Sequence, residues 1–286
     1  MLKREKMKHV IGIRWTIGDV NVRGFEALRL SVLGMQNILG DKARYAVCVN
    51  TISADMARKL TGDIPDIDWI QNDDLVPDYI KDRLDPNMAE GVGWKFAPLR
   101  LFPDIFELSL DNDCIIWELP EAFKIWLEDP DTRTCVFAED IKACFGSFQD
   151  YCNLQPRNSG IRGIPPNFDF EKNIKRMLAI NKTPLKSELD EQGLQNAAIS
   201  METEPLIVSK EEVSICSPFY PHQQYLGTKG AHFVGLNSKK LDWKYYDKPA
   251  LECIEEHWDN MRPELYEKIM DEATFANKRI GNYYSA

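Results

Sequence analysis

Two carboxylates set the chemical question. In the stretch Glu107–Trp117, apolar strand-like sequence runs into Asp111, Asn112 and Asp113 and resumes at once with Cys114, Ile115 and Ile116. Desolvating two carboxylates between buried segments is costly unless a cation or strong hydrogen-bond donors compensate. In extended backbone, residues i and i+2 project the same way, so Asp111 and Asp113 can face one point. Paired oxygens of this kind suit a hard divalent ion, Mn²⁺ or Mg²⁺. The competing interpretation is a solvated acidic turn. The apolar flanks are what separate this Asp-x-Asp from the many that bind nothing.

Elements on either side have to present that pair. Val10–Trp15 is short, β-rich and followed by turn-like Gly18 and Asp19, and it reads as a first strand. Phe25, Leu28, Val32, Met35 and Leu39 recur at helical spacing, and Gly40 stops the helix. Tyr45–Val49 is a second strand and Ile67–Ile70 a third. The stretch Gly93–Pro103 is expected to be helical and to lead into a strand, Glu107–Asp111. Further strands are expected at Thr134–Ala138, Ser159–Ile164, Val213–Cys216 and Ala231–Val234. Helices are expected at Glu121–Glu128, Phe170–Ile180, Glu188–Ile199 and Ala250–Ile269, the last interrupted at Pro263. This alternation predicts an α/β fold: a mixed, mostly parallel central sheet flanked by helices, with a small second sheet and a helical C-terminal tail. Ligands of such sheets collect beyond the carboxyl ends of the strands, where the acidic pair would sit.

Bulk composition narrows the partners. The chain has 286 residues, enough for a sizeable core, and is 44% hydrophobic and 28% charged, with no low-complexity tract. Asp plus Glu exceeds Lys plus Arg, 45 to 35, for a net charge of −10, which argues against nucleic acid as the main partner. An anionic small molecule stays open, because one bound cation can reverse the local field. The charged start, Met1 to Lys8, does not look like a signal peptide, and no apolar run approaches the ~18 residues of a membrane helix. Seven scattered cysteines read as free thiols used as small core residues, which fits a cytoplasmic location. There is no P-loop, no H-E-x-x-H, no G-x-S-x-G and no dinucleotide fingerprint.

Four blocks together resemble a known family. Asp111-Asn112-Asp113 is similar to the D-x-D of glycosyltransferases with the nucleotide-diphospho-sugar transferase (GT-A) fold. Asn158-Ser159-Gly160 resembles the N-S-G segment of glycosyltransferase family 8, the branch that includes glycogenin and the lipopolysaccharide galactosyltransferases. The run Asp190–Asn196 is similar to its D-Q-G-L-L-N segment, and His232-Phe233-Val234-Gly235, followed by Lys239, to its H-F-x-G-x-x-K block. Arg157 stands where that family has an aromatic, Glu191 where it has Asp, and one extra residue separates Gly235 from the lysine.

The resemblance implies a metal-dependent hexosyltransferase that uses a nucleotide-diphosphate sugar, UDP-linked in the first instance, and retains its anomeric configuration. The acceptor would be a hydroxyl on a glycan, a lipid-linked sugar or a protein. Asp111, Asp113 and His232 would bind Mn²⁺ or Mg²⁺; without the resemblance, His232 reads as a hydrogen-bonded core histidine. Gln192 and Glu191 would stand beside the reacting carbon, or simply begin a helix. Lys95 and Lys239 would meet the phosphates. Asn112, Asn158, Ser159, Gly160 and Gly235 would line the donor site, with Gly160 allowing the donor close. Trp15, ending the first strand, is the better of two tryptophans for stacking on the base, although both suit a core. Residues 1–248 would form the donor-binding domain and 249–286 its helical extension. Rival readings are a sugar-phosphate nucleotidyltransferase, whose glycine-rich opening loop Ile11–Thr16 does not match, and an inactive transferase-like binding module.

Overall fold

The computed structural model describes residues 11–72, 75–85 and 93–270. Strand β1 (Ile11–Ile17) alternates strictly: Ile11, Ile13, Trp15 and Ile17 enter one core, and Gly12, Arg14 and Thr16 face the other side. Helix α1 (Val22–Leu39) follows, started by Asn21, whose side chain accepts from the Gly24 N–H at 3.0 Å. Strand β2 (Ala43–Val49), helix α2 (Ala54–Thr61), strand β3 (Asp68–Gln71) and a single turn α3 (Asp78–Lys81) lead to β4 (Phe106–Asp111). Strand β5 (Cys114–Ile116), helix α4 (Glu121–Glu128), strands β6 (Val136–Ala138) and β7 (Asn158–Ile164), and helices α5 (Phe170–Ile180) and α6 (Glu188–Ser200) come next. The chain closes with β8 (Leu206–Val208), β9 (Val213–Cys216), β10 (Gly230–Phe233), the hairpin β11 (Lys244–Tyr245) and β12 (Lys248–Pro249), and α7 (Ala250–Met270).

Seven strands form the main sheet in the order β3-β2-β1-β4-β7-β6-β8. All pairings are parallel except the two made by β7, which runs against both β4 and β6. The expected mixed, mostly parallel sheet flanked by helices is therefore present, as is a second sheet, β5-β10-β9. One core packs α1 and α4 on a face of the main sheet, and a second packs α5 and α6 on the other. A third joins the small sheet to α1 and α7 through Trp117, Phe233 and Trp258.

Two expectations need correction. The helix expected over Gly93–Pro103 is only a 3₁₀ turn, Gly93–Phe96. Pro98 disfavours helix at the residue before it, and the Arg14 guanidinium takes the carbonyls of Lys95 and Pro98 that a helix would use internally. Pro263 does not interrupt α7, which runs through it with Trp258 and Leu265 buried on either side. Of the expected C-terminal extension, residues 271–286 lie outside the described residues, as does Val10 at the start of β1.

Candidate active site

Because β1, β2 and β4 are parallel, their carboxyl ends share one edge of the sheet. The reversed β7 brings its amino end, Asn158 and Ser159, to that same edge beside β4. Helix α6 starts there too, and the segment after β10 closes the remaining side. Together they enclose a cleft of about 610 Å³.

Asp111 ends β4, and Asp113 follows two residues on, in the turn before β5 rather than in the extended backbone expected. The antiparallel β5–β10 pair sets His232 opposite Cys114, with the Phe233 N–H donating to the Asp113 carbonyl at 2.9 Å. That register fixes the imidazole against the carboxylates: His232 Nε2 lies 3.3 Å from Asp113 Oδ1 and 3.5 Å from Asp111 Oδ2. One ligand atom from each of the three residues falls within 4.8 Å of the others. Burial works against a charged His232, yet the adjacent Asp111 and Asp113 carboxylates carry its pKa up to about 10. Burial likewise opposes ionised Asp111, but Lys95 and then His232 outweigh it and hold its pKa far below the usual carboxylate range. Asp113 Oδ1 is buried with no hydrogen-bond partner. Two carboxylates, one imidazole and an orphaned oxygen aimed at the cluster fit a divalent cation.

Lys95 approaches from the 3₁₀ turn, its Nζ 2.9 Å from Asp111, 3.5 Å from Glu191 and 3.3 Å from the Ser159 hydroxyl. Glu191, on the first turn of α6, is buried with Oε1 unpartnered, and its Oε2 accepts from Ser159. Burial pushes its pKa up to about 7, against the pull of Lys95. The Gln192 amide is engaged at both ends, accepting from the Ser159 N–H at 3.1 Å and donating to the Cys144 carbonyl at 3.0 Å. Asn158 donates to Asp140 at 3.1 Å. Lys239 reaches across the cleft mouth to Asp19, while Lys240 points to Asp242 and does not line the cleft.

Two expected positions are corrected. Trp15 is fully buried, stacks on Tyr45 and donates its indole N–H to Ser31 at 2.8 Å, so it offers no face to a base. Gly160 does not line the cleft: a Cβ there would lie 2.3 Å from His232 Cε1, so the glycine makes room for the imidazole rather than for a donor. The other sequence-derived candidates all line the cleft.

Several site residues gave no usable sequence signal. Asn237 donates to Asp113 Oδ2 at 3.0 Å and exchanges hydrogen bonds with Asn112, whose amide also donates to the Gly24 carbonyl. Asn21 donates to the carbonyls of Leu236 and Ser238. These asparagines tie the loop after β10 to the start of α1. Asn21 lies just ahead of the apolar periodicity of α1 and Asn237 between Gly235 and Lys239, and neither placement marks a site residue. Arg14, inside an apolar strand, positions the Lys95 backbone and faces Glu107 at 3.7 Å.

Solved glycosyltransferase structures share this fold. An active-site mutant of LgtC is 14% identical over 87% of this chain and 95% of its own, with a TM-score of 0.50. Mouse xyloside xylosyltransferase 1 is 10% identical over 80% of this chain and 99% of its own, with a TM-score of 0.52. LgtC described as a galactosyltransferase complex with donor and acceptor sugar analogues aligns at 15% identity and a TM-score of 0.49, over 87% and 95% of the two chains. No family model and no curated protein sequence matches the chain. The architecture is the GT-A fold of glycosyltransferases.

Proposed function

We propose that the chain transfers a hexose from a nucleotide-diphosphate sugar, UDP-linked in the simplest case, to a hydroxyl of a glycan, lipid-linked sugar or protein acceptor, with retention of configuration. The observation that carries this reading is the convergence of Asp111, Asp113 and His232 at the carboxyl edge of a sheet shared with glycosyltransferases. These three residues would hold Mn²⁺ or Mg²⁺, which when bound offsets the charge that develops on a leaving diphosphate. Lys95 and Lys239 flank the cluster and add positive charge for the same phosphate oxygens.

Glu191 and Gln192 stand at the amino end of α6, within the same cleft. An oxygen from either, beside the carbon that becomes positive as the diphosphate departs, stabilises the transition state more than the ground state. Asn158 and Ser159 orient the sugar, and Gly235 shapes the wall. Residues 1–248 act as the donor-binding domain, with the chain from 249 as its extension, which opens in α7. All seven cysteines are free thiols, which supports a reducing cytoplasm as its location.

Thermal stabilisation by UDP, CDP and GDP, each with and without Mn²⁺, tests the reading. A Mn²⁺-dependent rise with one nucleotide, followed by release of that nucleotide from its sugar conjugate, is the expected result. No rise with any of them would refute it.

A further inference from the structure

Beside the cleft, four aromatic rings form a continuous chain, of which only Phe219 packs against a core, the third. Trp243 packs on Phe219 at 4.5 Å between centroids, Phe219 on Tyr245 at 5.1 Å, and Tyr245 on Tyr246 at 4.6 Å. Tyr246 is 87% exposed and Trp243 46%. Tyr246 and Asp247 are the two central residues of the β11–β12 hairpin, with φ of +46° and +67°. Such a turn takes Asn-Gly at no cost, whereas a bulky aromatic in the left-handed region is strained. Burial does not offset that strain, since the ring stands in solvent. A strained and exposed aromatic points to use by a ligand.

Location and charge identify the ligand. Lys239 lines the cleft, and Trp243 lies four residues on, so their Cα atoms are at most about 14 Å apart. Phe219 leaves the main chain just after β9, which pairs in parallel with β10, Cys216 beside Phe233. The rings therefore rise from the cleft end of the small sheet while lining no part of the cleft itself. Nearby charges balance: Lys240 pairs with Asp242 at 2.9 Å and Lys248 with Glu252 and Glu256, and the exposed Lys244 shares the hairpin with Asp247. A surface of aromatic faces and phenol hydroxyls without cationic excess suits a neutral, polyhydroxylated chain whose C–H faces meet the rings.

We propose that the Trp243–Phe219–Tyr245–Tyr246 surface binds the distal sugar units of an oligosaccharide acceptor. This rests on the glycosyltransferase reading of the adjoining cleft. The reacting unit enters the cleft, and the units behind it lie along the rings.

The test compares cellotetraose, maltotetraose, xylotetraose, mannotetraose and chitotetraose with methyl glucoside, by calorimetry on the full chain. Variants are Trp243→Ala and Tyr246→Gly, the second relieving the backbone strain while removing the ring. At least one tetrasaccharide should bind the parent protein, and both variants should weaken it about tenfold or more with Mn²⁺-dependent nucleotide stabilisation unchanged. The proposal is overturned if none of the five binds, or if both variants bind like the parent. It is also overturned if Tyr246→Gly instead abolishes self-association in sedimentation, or binding to phosphatidylcholine vesicles. Tetrasaccharide binding lost in the variants of a protein that responds to no nucleotide would uphold the platform and sink the transferase reading alone.

Discussion

Asp113 and Asp111 differ in what surrounds them, although both face His232. Asp111 already accepts a hydrogen bond from Lys95, whereas Asp113 Oδ1 is buried and makes no hydrogen bond. Asp113→Asn should therefore leave the fold intact, abolish Mn²⁺-dependent nucleotide stabilisation and cost roughly 10²-fold or more in turnover. Calorimetric Mn²⁺ and UDP titrations beside initial rates check this. Glu191 makes a prediction about pH. Its folded pKa of about 7 lies above its ordinary 4.5, so the folded state holds the proton longer. In the metal-free protein this contribution is fully present below 4.5 and lost as pH rises to about 7. It amounts to something on the order of 3 kcal/mol. Urea unfolding at pH 5 and pH 8 should show the decline, and Glu191→Gln should flatten it. Gln192→Ala should lower kcat sharply with little change in UDP affinity; turnover at the parent rate would reduce this segment to a helix start. The acidic pair was legible because carboxylates interrupt apolar sequence. Arg14 was not, since one arginine in a strand looks like any solvated edge residue until Glu107 and the Lys95 and Pro98 carbonyls surround it.

At the scale of elements, strong periodicity was readable and tertiary substitution was not. Helix α5 lies where its spacing puts it because one face is buried; α6 and β9 also lie where expected, although both are buried on nearly every side. Helix α2 was missed although its apolar residues recur at helical spacing: it is only eight residues long, and Met56 and Leu60 on it stay half exposed. Strands β5 and β8 are three residues long and draw their definition from neighbours. The false helix before β4 failed because a side chain from β1 captured its carbonyls. Glycine contacts were equally invisible, and they give a sharp test. Gly160→Ala should push His232 off the carboxylates, weakening Mn²⁺ binding at least about tenfold while unfolding changes by roughly 1–3 kcal/mol. Unaltered Mn²⁺ affinity in a folded variant would mean that His232 is not a ligand.

On the scale of the whole molecule, α7 supports the site from behind. Trp258 is fully buried and meets the Phe233 ring edge-on at 5.0 Å, one residue from His232. Trp258→Ala should cost roughly 3–5 kcal/mol in denaturant unfolding and also weaken the divalent ion, because β10 loses its backing. A stability loss with unchanged metal affinity would confine α7 to scaffolding. The reversal of β7 has a practical corollary. With its amino end gathered beside the carboxyl ends of β1, β2 and β4, the sheet keeps its chemistry on one rim and leaves the opposite rim bare of it. The seven residues of β1 put roughly 20 Å between the two rims. A tether to a sensor surface placed at exposed Gly40 or Asp104 would present the cleft outward, and one at Thr51 or Asn158 would stopper it.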